Sequence, residues 1–337
     1  MPPYLSIIIP TLDEECHITD LIEQILVNAP PSLIEIIVSD GGSKDQTRQI
    51  VRRLGQRDAR VRLIDNPKQI QAAGVNAAVA EIDPRARYIL RLDAHSSYGD
   101  TFVADILNEI VHREVDSVVV RLRSVGQTCF QRAVAYVSNQ AIGNGGARHR
   151  MGDASGFVDH GHHAIFKRET FVALNGYDED FDTNEDAEFD HRLRAKGGRI
   201  WLAANLPIDY YPRASLTSLA QQYYRYGRGR ARNFMKHRQR LRLRQLLPAL
   251  LFLYCLLILP FGDADPYLVL PLGLYAGVVL LSAVRLLLDY RSLCIVGVLA
   301  AIPAMHLAWG CGFVTGCLAK LLAAPAMPVE APDGSKS

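Results

Sequence analysis

The sequence predicts an α/β protein with a doubly wound, mostly parallel, Rossmann-like sheet, followed by C-terminal transmembrane helices. The first observation is the alternation of short β-branched runs with helical patterns from Leu5 to Leu92. The second is the distribution of charge: the chain has 37 basic and 35 acidic residues, but only six of them lie between Leu246 and Leu322. A chain of 337 residues also exceeds the size of a single growing core, so two structural units are expected.

Each element of the predicted sheet follows from a local pattern. The helix after the second strand opens with a capping-box pattern, Ser43 with Gln46, and runs through Leu54. Because strands and helices alternate, parallel pairing with crossover helices is expected. The predicted strands are Leu5–Ile9, Ile34–Ser39, Val61–Ile64 and Tyr88–Leu92, and the other predicted helices are Ile18–Val27 and Gln71–Ala80.

Three apolar segments make up the C-terminal part. Spanning a bilayer takes about 20 apolar residues. Leu268–Leu288 and Leu293–Leu322 satisfy this length, whereas Leu246–Phe261 has only 16 residues. We therefore expect two or three membrane helices, the first segment being either a short span or an interfacial helix. A buried helical domain is the alternative interpretation.

Carboxylates follow three successive predicted strands, in the loops Pro10–Glu15, Asp40–Asp45 and Asp93–Ser96. Ligands of such sheets bind beyond the carboxyl ends of the strands. Asp and Gly are also ordinary turn residues, so a single acidic loop would indicate only a turn. Three acidic loops after successive strands favour a binding site. The glycine-rich phosphate motifs are missing from the sequence, which favours a divalent metal held by a carboxylate as the group that neutralises a pyrophosphate.

Five ordered motifs resemble those of the inverting, GT-A-fold glycosyltransferases of family 2. The resemblance covers about residues 4 to 230 and implies a nucleotide-sugar donor. Within the family it is similar to the bacterial glucosyltransferases of succinoglycan, an exopolysaccharide. The motifs are Ile7–Thr11 with Glu14, Val38–Ser43 with Asp45 and Thr47, Asp93-Ala94-His95, Asn184–Phe189 after Gly176–Glu179, and Gln222–Tyr226.

The resemblance assigns the nucleotide-sugar site to the strand ends. It implies that Asp40 contacts the base and that Asp93 is a metal ligand for Mg²⁺ or Mn²⁺. His95 replaces the second acid of the family's Asp-x-Asp motif and is expected to assist as a metal ligand. The implied nucleotide-sugar-binding residues are Pro10, Thr11, Glu14, Asp40 and Asp93.

The resemblance assigns catalysis to the Glu185-Asp186 pair. It implies that Asp186 is the base that takes the proton of the acceptor hydroxyl, a role in which a positioned group contributes about 10²- to 10⁴-fold. A solvated, acidic helix start is the alternative explanation of these acids. The acceptor or pyrophosphate is expected to meet Gln222, Arg225 and Tyr226. Tyr226 stands where processive members of the family usually have Trp, which disfavours a processive enzyme.

We expect transfer of a hexose, with glucose from UDP-glucose as the first choice, to a polyprenyl-diphosphate-linked oligosaccharide. Two alternatives stay open. One is transfer directly onto polyprenyl phosphate, and the other is a membrane scaffold that binds a nucleotide-sugar without catalysis. The scaffold would tolerate loss of Asp186, whereas either enzyme would not.

A basic run precedes the apolar segments: nine Lys or Arg and no acid lie between Arg225 and Arg244. Arg225 and Arg228 are candidates for contact with the pyrophosphate or the acceptor. The remainder is typical of a juxtamembrane segment that attracts anionic lipid. Nucleic acid is not expected as a partner, because the apolar segments explain the charge and no base-reading motif occurs.

The histidines and cysteines predict neither a zinc site nor a disulfide framework. His160, His162 and His163 lie close together, but no fourth ligand follows at a recognisable spacing, which favours structural or acceptor-contacting histidines. The six cysteines contain no Cys-x-x-Cys pair, and four of them lie in the apolar segments, which suits a reducing cytosol.

The expected location is the inner (cell) membrane, multi-pass, with a cytoplasmic catalytic domain. The N-terminus lacks the features of a signal peptide, and basic flanks stay on the cytoplasmic side. Three spans would place the tail after Lys320 outside, whereas two would return it to the cytosol. The expected units are residues 1–120 (nucleotide-sugar-binding half), 121–245 (acceptor-binding and catalytic half with the basic juxtamembrane segment), 246–322 (membrane anchor of two to three helices) and 323–337 (tail).

Overall fold

The computed structural model describes residues 2–151, 154–238, 243–258 and 266–322. Short 3-10 segments, Pro266–Val269 and Leu293–Gly297, precede the last two helices. The strands are β1 (Leu5–Thr11), β2 (Leu33–Asp40), β3 (Val61–Asp65), β4 (Tyr88–Arg91), β5 (Ser117–Ser124), β6 (Gly156–Phe157), β7 (His162–Lys167) and β8 (Ile200–Tyr210). The helices are α1 (Ile18–Val27), α2 (Thr47–Arg57), α3 (Gln71–Glu81), α4 (Phe102–Arg113), α5 (Cys129–Ser138), α6 (Ala141–Asn144), α7 (Arg148–Met151), α8 (Arg168–Ala173), α9 (Glu185–Ala195), α10 (Leu216–His237), α11 (Leu243–Ile258), α12 (Leu270–Tyr290) and α13 (Val298–Leu322).

The eight strands form one sheet in the order β3-β2-β1-β4-β7-β5-β8-β6. Parallel pairs join β3, β2, β1 and β4, and a further parallel pair joins β5 and β8. β7 lies antiparallel between β4 and β5, and β6 is antiparallel to β8. The predicted doubly wound, mostly parallel sheet is therefore confirmed.

Both faces of the sheet are buried, as the continuous apolar strands predict. On β1, Leu5, Ile7 and Ile9 face one apolar cluster, which α1 and α4 cover. Ile8 of the same strand faces the other cluster, which α3 and Phe189 of α9 help to build. Residues after 120, such as Ala203 and Phe189, thus pack in the same two apolar clusters as the first four strands.

The first four strands and three helices lie where the sequence predicts them, but the capping box is wrong. α2 begins at Thr47, and its N-cap, Gln46, makes no side-chain cap hydrogen bond. The Ser43 hydroxyl instead donates to the carboxylate of Asp40 and accepts from the backbone N–H of Asp13. The buried acid at the end of β2 therefore outcompetes the helix terminus for this side chain.

Cys129 and Cys294 form a disulfide, contrary to the expectation that the cysteines stay unpaired. The two residues are separated by 165 positions, and local spacing could not indicate the pair. The bond joins the start of α5 to the segment Leu293–Gly297. Cys16, Cys255, Cys311 and Cys317 are free.

Two C-terminal helical stretches are long and apolar enough to cross a membrane. Tyr267–Tyr290 has 24 residues with a mean hydropathy of 2.1, and Leu293–Leu322 has 30 residues with 1.9. Only 11% of the first apolar window is buried, against 33% of the second. α11, with 16 residues and Pro248 inside it, is shorter. The acidic link at Asp263 and Asp265 and the tail 323–337 lie outside the described residues.

α13 is more buried than α12 because it packs along α10, the helix that carries the basic run. Small residues allow the two backbones to approach closely. A Cβ atom on Gly227 of α10 would lie 2.1 Å from the carbonyl oxygen of Trp309, and one on Gly312 of α13 would lie 2.0 Å from that of Tyr224. Close glycine contacts therefore hold α13 against α10.

These contacts predict that Gly227→Ala lowers the stability of the full chain. The added methyl group meets the backbone of α13, and overpacking of this kind costs about 1–3 kcal/mol. The matched control is Gly273→Ala on α12, where a Cβ meets nothing within 4 Å. Thermal unfolding of the detergent-solubilised variants should show a lower Tm for Gly227→Ala alone, and equal Tm values would contradict this packing.

Candidate functional site

The predicted acidic loops meet at the carboxyl edge of the sheet, because β1 lies between β2 and β4. The Gly41 N–H donates to the carbonyl of Thr11 at 2.8 Å, which joins the first loop to the second. The Glu14 carboxylate contacts Nδ1 of His95 at 2.7 Å, which joins the first loop to the third. Pro10 and Thr11 end β1, opposite Ser39 and Asp40. The structure therefore brings all three loops together.

Asp40 is fully buried and holds the second loop in place. Its carboxylate accepts hydrogen bonds from the N–H groups of Gly42 and Ser43 and from Arg48 Nη1 at 2.8 Å. Burial raises the pKa of Asp40, but the hydrogen bonds from Ser43 and Arg48 outweigh it and hold the pKa below its usual value. Asp40 therefore shapes the loop, and its predicted contact with the base stays a prediction.

Asp93 and His95 stand just beyond β4 with donors that fit a divalent cation. Asp93 Oδ1 accepts from Gln71 Nε2 at 2.9 Å, and its side chain is 16% exposed. The side chain of His95 is 54% exposed, and its Nε2 lies opposite the nitrogen that contacts Glu14. The Glu14 contact raises the pKa of His95 above its usual value. One carboxylate and one imidazole form a donor set closer to the preference of Mn²⁺ than to that of Mg²⁺.

Arg91 links this pair to the second acidic motif. It lies in β4, is only 5% exposed, and contacts Asp93 Oδ1 at 3.4 Å and Glu185 Oε1 at 3.1 Å. The prediction from sequence missed Arg91. A charged residue inside an otherwise apolar predicted strand was the available signal, since such residues are buried only with partners.

Glu185 and Asp186 are both buried at the start of α9, but their protonation differs. Burial raises the pKa of Asp186, but the charge and hydrogen bond of His162 outweigh it, so the pKa lies below its usual value. Burial and the neighbouring Asp186 raise the pKa of Glu185, although Arg91 opposes the shift. Two adjacent carboxylates with pKa values pushed apart are typical of acid–base sites. Of the two carboxyls, Asp186 is the one whose pKa is lowered, although burial also lowers the pKa of its partner His162.

The other acids of α9 have structural partners. Glu188 is fully buried, and its carboxylate forms ion pairs with Arg192 and with Lys236 and His237 of α10. Asp190 contacts Nδ1 of His160 at 2.8 Å. The alternative of a solvated acidic helix start does not hold, because all four acids between Glu185 and Asp190 are buried.

The histidines at the start of β7 and just before it lie beside these acids. His160 and His162 face Asp190 and Asp186, and His149 from α7 joins them. His149 was missed because it comes from a separate short helix. The side chain of His163 lies outside the described residues.

The predicted acceptor element lies on α10. Gln222 Nε2 donates to the hydroxyl of Tyr210 at 2.7 Å, and the ring of Tyr226 packs against Tyr223. The carbonyl of Tyr226 accepts from Asn184 Nδ2 at 3.1 Å, next to the Glu185-Asp186 pair. The side chain of Arg225 is exposed, and its backbone carbonyl accepts from Thr183.

A cavity of about 280 Å³ extends from the start of α9 to the apolar helices. Its polar end contains Asn184, His160 and His162, and its apolar end contains Pro248 of α11 and Trp309 of α13. Arg230, one turn beyond Tyr226, was not singled out from the sequence but lines the cavity. The other lining residues include Tyr223, Tyr226, Arg150, Arg244, Met305 and His306.

Comparison with known proteins gives concordant matches. Residues 6–174 match the profile of glycosyl transferase family 2. The chain is 44% identical over 315 residues to succinoglycan biosynthesis protein ExoA of Rhizobium meliloti (strain 1021), covering 91% of this chain and 93% of that one. It is 23% identical over 327 residues to a dolichyl N-acetyl-alpha-D-glucosaminyl phosphate 3-beta-D-2,3-diacetamido-2,3-dideoxy-beta-D-glucuronosyltransferase of Methanococcus voltae, covering 94% and 97%.

A solved structure supports the fold. The mannosyltransferase PcManGT from Pyrobaculum calidifontis, in complex with GDP-Man and Mn²⁺, matches with a TM-score of 0.60 at 16% identity, over 94% of this chain and 88% of that one. At this identity the likeness shows the fold alone. The GT-A prediction is confirmed by it.

The position of Arg91 predicts that Arg91→Met destabilises the chain. Its removal leaves Asp93 and Glu185 without their shared cation, and breaking a buried ion pair in this way costs about 3 kcal/mol. The control is Arg52→Met on the exposed face of α2, which should stay within about 0.5 kcal/mol of the parent. Urea unfolding compares the two variants, and similar midpoints would reject the bridging role of Arg91.

Proposed function

Because the chain belongs to glycosyl transferase family 2, we propose that it moves a hexose from a UDP-sugar to a polyprenyl-diphosphate-linked oligosaccharide in bacterial exopolysaccharide synthesis. The family makes the chain a glycosyltransferase. The name of the Rhizobium meliloti relative supports an exopolysaccharide of the succinoglycan type as the product. Glucose is the hexose we propose, with UDP-glucose as donor.

The observation that carries this proposal is the cavity that joins the start of α9 to α11 and α13. A soluble sugar acceptor would need no apolar wall. A polyprenyl diphosphate has an apolar chain and a doubly charged head, and the cavity offers partners for both. Met305 and Trp309 supply apolar surface, while Arg230 and Arg244 supply guanidinium groups, which suit phosphate oxygens.

Asp186 is the catalytic base of the proposed reaction. The acceptor hydroxyl attacks the anomeric carbon, the new glycosidic bond forms, and the bond from that carbon to the UDP oxygen breaks. The hydroxyl proton passes to the carboxylate of Asp186, and attack from the opposite side inverts the configuration. His162, hydrogen-bonded to Asp186, orients the carboxylate. Burial and the neighbouring Asp186 raise the pKa of Glu185, which is held by Arg91 beside the base.

The donor binds at the three loops of the carboxyl edge. Pro10, Thr11 and Asp40 would flank the nucleotide, with Glu14 holding His95 towards Asp93. Asp93 and His95 would hold Mg²⁺ or Mn²⁺, and such a cation supplies positive charge to the departing diphosphate. Gln222, Arg225 and Tyr226 would meet the acceptor or the pyrophosphate from α10.

We propose that α12 and α13 cross the inner membrane, which makes the protein multi-pass with a cytoplasmic catalytic domain. α11 covers about 24 Å at 1.5 Å per residue, against a hydrocarbon core of about 30 Å, and would be a short first span. The disulfide joins Cys129 of α5 to Cys294 in the link between α12 and α13, so it holds that link on the same side of the membrane as the catalytic domain and supports α11 as a span.

A second candidate function is transfer directly onto polyprenyl phosphate. The Methanococcus voltae relative is named as a transferase that acts on a lipid-linked sugar phosphate, which favours a polyprenyl-linked acceptor. The name does not fix how many sugars that acceptor carries. The same cavity would accept either lipid. The number of sugars on the product separates the two.

The purified enzyme in detergent, given a panel of nucleotide-sugars and two lipids, tests the proposal. We expect UDP-glucose to extend a polyprenyl-diphosphate-linked oligosaccharide by one glucose and to leave polyprenyl phosphate unmodified. Mass spectrometry of the lipid products reads both outcomes. A single sugar on polyprenyl phosphate would support the second candidate, and a soluble glycan as the preferred acceptor would contradict both.

Asp186→Asn should abolish transfer while leaving the nucleotide-sugar affinity within a few fold. The amide keeps the shape of the side chain but cannot take the proton, and loss of a positioned base lowers kcat by about 10²- to 10⁴-fold. The control is Asp180→Asn, an exposed acid that precedes α9. Turnover of Asp186→Asn within tenfold of the parent would contradict the assignment of Asp186 as the catalytic base.

A further inference from the structure

Three histidines surround a common point beside α9. One ring nitrogen from each of His149, His160 and His162 lies within 4.8 Å of the other two. The ring centroids are separated by 5.3, 5.0 and 5.1 Å, and the ring planes meet at 70–78°. The three imidazoles therefore form a nearly equilateral propeller.

This geometry is compatible with a tetrahedral metal site. With zinc–nitrogen bonds of about 2.0–2.1 Å, three tetrahedral imidazole ligands have ring centroids about 5.2 Å apart. The observed centroid separations already equal that value. T-shaped ring packing without a metal gives centroid separations of about 4.5–7 Å, so the separations permit a metal and the groups around the rings must distinguish the two explanations.

The groups around the rings also match those of a metal centre. Nδ1 of His160 faces Asp190 at 2.8 Å, and Nδ1 of His162 faces Asp186. Histidine ligands almost always donate their second ring N–H to a carboxylate or carbonyl, which fixes the ring and its tautomer. Each of the two rings thus has Nε2 left for a cation.

We propose that His149, His160 and His162 bind Zn²⁺ or a chemically similar divalent cation. Three nitrogen ligands suit zinc and leave the fourth position open. His149 and His160 line the cavity that reaches the apolar helices, so a water or another oxygen ligand from that cavity completes the coordination.

The site is distinct from the donor cation site, which has the harder ligands Asp93 and His95. The bound cation would position His162 and α7, a role that the proposed transfer reaction does not include. Coordination of His162 through Nε2 would hold Nδ1–H towards Asp186, and coordination of His149 would hold α7 against α9. The competing explanation is a metal-free packing cluster, which predicts the same fold but no cation.

The test uses the detergent-purified full chain, stripped of metal and titrated with Zn²⁺ and with Co²⁺. We expect about one Zn²⁺ per chain by elemental analysis and the intense visible absorption of tetrahedral Co²⁺. Both signals should persist when Asp93 and His95 are replaced by Ala, because those residues belong to the donor site. His149→Ala should abolish both signals.

Two further variants keep the test decisive if His149→Ala fails to fold. Asp190→Asn preserves shape and should weaken Zn²⁺ binding by about 10–100-fold, the usual effect of removing the carboxylate behind a ligand histidine. His112→Ala, an exposed histidine of α4, should bind like the parent. The proposal is overturned if the parent binds no Zn²⁺, if Co²⁺ gives only the weak absorption of an octahedral ion, or if Asp190→Asn binds Zn²⁺ as tightly as the parent.

Discussion

The buried acids of α9 are the constraint on which the rest of the structure depends. Four carboxylates lie between Glu185 and Asp190, and each is at most 8% exposed. Burying an ionised carboxylate costs several kcal/mol unless cations or hydrogen-bond donors meet it. The partners come from β4, from β7 and the chain before it, and from α10, so the position of each of these elements is tied to the same short segment.

These cations and hydrogen bonds connect the proposed donor site to the apolar helices. Arg91 reaches from the Asp93 end of β4 to Glu185, while Lys236 brings α10 to Glu188. The opposite part of α10 packs by glycine contacts against α13. The same helix therefore contacts the acidic segment and the apolar segment, and the cavity between them opens where a lipid-linked acceptor would arrive.

The sequence predicted the local features well. β1 to β4 and α1 to α3 came from short apolar patterns, and the acids at the strand ends came from the rule that ligands bind at the carboxyl edge of parallel strands. The missed features are non-local: Arg91 against Glu185, His149 against His160, and Cys129 against Cys294. Their partners are separated by 94, 11 and 165 positions respectively, and such pairing is decided by the tertiary fold, which no local spacing encodes.

The central claim is that Asp186 takes the proton of a lipid-linked acceptor where the donor loops meet the cavity. The most direct measurement is a structure of the Asp186→Asn chain with the intact UDP-sugar and the lipid acceptor, trapped before transfer. The account predicts an acceptor hydroxyl within about 2.6–3.2 Å of the residue-186 side chain, with the prenyl chain along α11 and α13. A hydroxyl held by another carboxylate, with residue 186 remote from the anomeric carbon, would contradict it.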